Sequence, residues 1–161
     1  MNQDSYAQLM AKIDKIKKGE GWDLSTEEDL ALGVMNLISI EEHLFFTGEK
    51  TGKEEYFDLL KQVRESRKTL MKKMIPEYEG ELWCVCKHLL SASMRIMEVG
   101  TKLLDSGKKK EAREMFDQSY KTFNMFWAVR LKLIDLKGIK RIEKPLNMDD
   151  LMTKLIDCCK E

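Results

Sequence analysis

The chain has 161 residues, 43% of them hydrophobic and 35% charged, with 9 glycines and 2 prolines. This composition excludes collagen-like, Pro-rich and low-complexity chains and argues against disorder. Its 28 basic and 28 acidic residues give a formal net charge of zero, so no global field draws the chain to nucleic acid or to an anionic membrane.

Apolar residues recur at helical spacing almost throughout, and no alternating β-branched run bounded by turn residues occurs, which predicts an all-α fold. Tyr6, Leu9, Met10, Ile13 and Ile16 form the stripe of a short amphipathic helix over 4–18, broken at Gly19 and Gly21. Ser25 to Glu28 reads as a capping box that opens a second helix over 26–47, and Thr51 to Glu54 repeats the signature before a third. Pro76 stops that third helix after Ile75. A fourth helix is expected over 80–104, with Gly107 in the left-handed position beyond it, and a fifth over 108–137, ended by Gly138. Past Pro145, Asn147 to Asp150 cap a last short helix that runs to residue 160. Short connections between long helices imply antiparallel neighbours. The expected architecture is therefore a single domain over 1–161: an antiparallel up-down four-helix bundle from about 26 to 137, with additional terminal helices over 4–18 and 147–160.

The chain starts with no basic segment followed by an apolar one, and no stretch approaches the run of about 18 apolar residues that a bilayer span needs. Its four cysteines, Cys84, Cys86, Cys158 and Cys159, do not have the spacing of a secreted disulfide framework. A reducing cytoplasm is the expected compartment.

Val99, Gly100, Leu103, Gly107, Ala112, Phe116 and Ser119 together resemble a tetratricopeptide hairpin, with small residues where two helices cross. The resemblance covers about 25 residues, and a shift by the 34-residue period of that family finds no second copy. A close helix pair inside the bundle is the simpler reading.

Advancing about 100° per residue places several polar side chains inside apolar arcs: Glu41 in the second helix, Arg67 in the third, Ser119 and Arg130 in the fifth. Glu42 lies at the edge of its arc, Arg64 is marginal, and His43 falls outside with Leu32 and Asn36. The fourth helix has the widest apolar arc and should be the most buried. Its narrow polar stripe carries Cys84, His88, Ser91, Arg95, Glu98 and Lys102, with His88 next to the apolar border, and most of these should be solvated. A buried arginine needs a counter-charge or hydrogen bonds. Glu81, Glu41 and Glu42 are the available partners, although counting back from turns near residues 50 and 77 sets Glu41 level with Leu60, too far along the axis to reach Arg67 itself. Two uses of these groups are open: structural ion pairs, or an anion pocket in which Arg67, Arg130, Glu41 and the neighbouring His88 bind a carboxylate or phosphate.

Other chemistry finds little footing. Two histidines, neither in a Glu-x-x-His pair, do not make a bundle di-iron site. Cys84 and His88 share a helical face but supply two ligands where zinc needs three or four, so no metal site and no cofactor are expected. The same two residues lack an oxyanion donor and an orienting third group for nucleophilic catalysis. No Gly-rich phosphate loop occurs. The basic clusters, Lys102 with Lys108 to Lys110 and Arg113, and Lys137 with Lys140 and Arg141, are interspersed with acids and read as solvated surface. The sequence thus points away from catalysis and toward a protein-interaction module or homo-oligomer that uses its terminal helices; a pocket for a small anion is the alternative.

Overall fold

The computed structural model describes residues 23–76 and 81–131, together with the isolated positions 11, 14, 15 and 18. Apart from those positions, the predicted helices over 4–18 and 147–160 lie outside the described residues, as do the stretch 132–137 and Cys158, Cys159, Lys137, Lys140 and Arg141. What is described is all-α, with no strand: α1 (Leu24–Thr51), α2 (Glu55–Met74), α3 (Leu82–Asp105) and α4 (Lys109–Arg130). α1 packs on α2 and α3 packs on α4, giving two helical hairpins in compact units on either side of Pro76.

The first hairpin departs from the expected capping. Asp23, not Ser25, is the N-cap of α1: its carboxylate accepts from the backbone N–H of Thr26 at 3.3 Å and from the Thr26 hydroxyl at 2.6 Å. These two bonds hold the Asp23 carboxyl below its ordinary value, the side-chain bond being the larger cause. An N-cap aspartate and a threonine three residues on satisfy each other locally, and the helix starts two residues earlier than Thr26. Its far end is also later than Thr47. Gly52 takes a left-handed φ of 65° and returns its N–H to Gly48 O at 2.8 Å, so the helix runs to Thr51. Thr51 then spends its hydroxyl on Thr47 O at 2.7 Å, and Glu54 precedes α2 without a side-chain cap. The second expected capping box is therefore absent.

The second hairpin turns as expected. Gly107 adopts φ 77°, Lys108 N–H reaches back to Leu103 O and Gly107 N–H to Leu104 O, each at 2.9 Å. This is the doubly bonded helix end that glycine makes accessible.

Each hairpin closes on a glycine facing a phenylalanine. A Cβ on Gly48 would lie 2.7 Å from the Phe57 ring, and one on Gly100 would lie 2.6 Å from the Phe116 ring and 3.3 Å from Ala112 O. Hydrogen at these two positions is what lets the ring approach. In the α3–α4 hairpin the small residues of the tetratricopeptide-like stretch, Gly100, Ala112 and Ser119, are all buried.

The two hairpins also share five buried positions. At one constant offset along the chain, Ala31, Val34, Gly48, Arg67 and Met74 match Trp83, Cys86, Gly100, Ser119 and Phe126, and all ten are buried. α3 carries the most buried residues of the four helices, as its wide apolar arc predicts: Trp83, Cys84, Cys86, Leu90, Ser93 and Gly100. By length and composition α1 could cross a bilayer; in the fold it is one arm of a hairpin with an ion-paired glutamate on its inner face.

Candidate functional site

Three of the polar side chains that fall within apolar arcs, Glu41, Arg67 and Ser119, together with Ser93 of the wide arc of α3, form two contacts between helices, one in each unit. In the first, Arg67 on α2 is 1% exposed and grips Glu41 on α1 with two donors. Its Nε donates to Oε1 at 2.6 Å and its Nη2 to Oε2 at 3.3 Å. Nη1 is directed to the Met71 sulfur at 3.6 Å, one turn along α2. Arg64, more exposed, brings Nη1 to 3.9 Å from Glu41 Oε2. A planar guanidinium meeting both oxygens of a carboxylate is the strong form of this bond. Burial of a lone guanidinium would cost several kcal/mol, so Glu41 makes the buried position of Arg67 tenable.

Glu41 thus reaches Arg67, against the expectation from the level count. Extension of α1 to Thr51 and the turn at Gly52 move the hairpin's midpoint toward Arg67, and the long arginine side chain spans the remainder.

In the second hairpin the matching positions hold Ser93 and Ser119. Ser93 Oγ donates to Ser119 O at 3.0 Å, and Ser119 Oγ donates to Ser93 O at 2.8 Å. Each hydroxyl carries one proton; with both on carbonyls, the Oγ–Oγ approach of 3.2 Å reflects how closely the helices pack. Glu41 with Arg67, and Ser93 with Ser119, are each 26 residues apart.

The remaining candidates sit in the second unit. His88 on α3 is exposed. Arg130, the last residue of α4, is half-buried; its Nε is buried without a hydrogen-bond acceptor, while the side chain takes part in other interactions. Arg130 lies close enough to Cys86 to lower its pKa, but burial acts the other way and prevails, pushing the Cys86 thiol up to about 12. Cys84 is 2% exposed, which corrects its place on a solvated stripe: the buried face of α3 is wide enough to take in Trp83 and Cys84 as well as Cys86. Among the described residues no three His, Cys, Asp or Glu side chains group in a way that could hold a metal ion. In the basic cluster at the α3–α4 turn, Lys108 pairs with Glu111 at 3.6 Å and Arg113 with Asp117 at 3.1 Å, which are exposed pairs of little weight.

Sequence reasoning missed the apolar surface. Phe45, which the wheel puts in the core arc of α1, is 45% exposed, and its neighbour Phe46 is 51% exposed. Their rings contact edge to face, with centroids 5.2 Å apart. Met97, at the position of α3 that corresponds to Phe45, is exposed as well. A wheel reports direction about an axis and is blind to how far along that axis a neighbour extends. The usable signal is two adjacent phenylalanines, which lie about 100° apart on the helix and are both buried only by a wide packed face. Comparison with known proteins finds no matching family model, no matching curated protein and no matching solved structure.

Proposed function

We propose that this protein is a cytoplasmic interaction module without catalysis of its own, in which the helical hairpins present apolar surface to a protein partner or a second copy of the chain. The reading includes the up-down four-helix bundle and the terminal helices over 4–18 and 147–160 expected from the sequence. The observation that carries it is the exposed Phe45–Phe46 pair on α1. Two large aromatic side chains together in water are worth several kcal/mol if a partner covers them, and aromatic and methionine side chains are enriched at such contacts. Bonding within the Glu41–Arg67 pair favours its use as a structural clasp over anion binding, because the carboxylate already fills the Nε and Nη2 side of the guanidinium fork. A free anion would have to displace an intramolecular partner with a large effective-concentration advantage.

Deletion of residues 147–161 tests the contribution of the C-terminal segment. Its apolar stripe of Met148, Leu151, Met152, Leu155 and Ile156 is expected to take part in association. Sedimentation velocity and cross-linking should show reduced self- or partner association while the remaining helices stay folded, with helical circular dichroism lowered by no more than the share of the deleted segment. Full association by the shortened chain would remove the terminal segment from the proposal.

A further inference from the structure

We draw no further inference here: the strongest candidate, the apolar surface patch of Phe45 and Phe46 near the C-terminal end of α1, belongs to the surface already described, and nothing in the structure shows which occupant covers it.

Discussion

Glu41 and Arg67 lie 26 residues apart and join the two arms of the first hairpin through a pair of hydrogen bonds, at 2.6 and 3.3 Å. The two residues are not equally dependent on each other. Arg67 has a side chain 2% exposed, whereas that of Glu41 is 13% exposed and has Arg64 at 3.9 Å as a further cation. Removing the carboxylate takes the acceptor from two donors of the more deeply buried partner, whereas removing Arg67 leaves a carboxylate that is closer to solvent and still has Arg64 beside it. Glu41→Gln should destabilise by about 1–3 kcal/mol, and Arg67→Met by less. Glu41→Leu combined with Arg67→Met should cost less than Glu41→Gln alone, since well-packed apolar groups substitute adequately for a buried ion pair. Urea denaturation of the three variants checks the order; equal losses for the two single changes would contradict the asymmetry.

The helical glycines separate by what surrounds them. Ala in place of Gly gains up to about 1 kcal/mol of helix propensity, but an added methyl that must displace a packed group costs about 1–3 kcal/mol. Gly33 has nothing within 4 Å of its would-be Cβ, whereas Gly100 meets the Phe116 ring at 2.6 Å and a backbone oxygen at 3.3 Å. Gly33→Ala should raise the melting temperature and Gly100→Ala should lower it. Phe116→Leu should recover part of the Gly100→Ala loss by vacating the ring's place, a coupling that a double-mutant cycle measures.

How much of this could be read from the sequence differs by feature. Helical periodicity was sufficient for the all-α class, for the stop at Pro76 and for the left-handed glycine at 107, because each depends on a residue and its near neighbours. Arg67 and Ser119 were legible as inward-facing for the same reason, since direction about a helix axis follows from spacing alone. Their partners were not. Which residue meets Arg67 depends on the level where α1 ends, and a shift of that end from Thr47 to Thr51 changed the register of the whole hairpin. The correspondence between the hairpins was also hidden, because its positions conserve burial more than chemistry: Arg67 matches Ser119, and Ala31 matches Trp83.

Burial sets the behaviour of Cys86. The folded thiol keeps its proton up to about 12 against an ordinary 9.0, so thiolate chemistry is suppressed in the native state. Alkylation at pH 8 followed by mass spectrometry should leave Cys86 unmodified until denaturant is added. The linkage has a definite sign: a neutral acid whose pKa is raised by folding keeps its full contribution below pH 9.0, and loses it as pH rises through that value toward about 12. Alkaline destabilisation over this interval should shrink in Cys86→Ala. Rapid labelling of native Cys86 would show that its environment opens readily.

We propose that the protein associates through exposed apolar surface and does not bind a small anion at Arg67. The most direct test of this is cross-linking and sedimentation of the full chain beside Phe45→Glu and Phe46→Glu variants, with thermal melts in a panel of phosphates and carboxylates on the same samples. Both positions are about half exposed, so each charge should leave the fold intact while abolishing partner or self-association, and no anion should raise the melting temperature. Unchanged association in both variants, together with stabilisation by an anion that disappears in Arg67→Met, would contradict it.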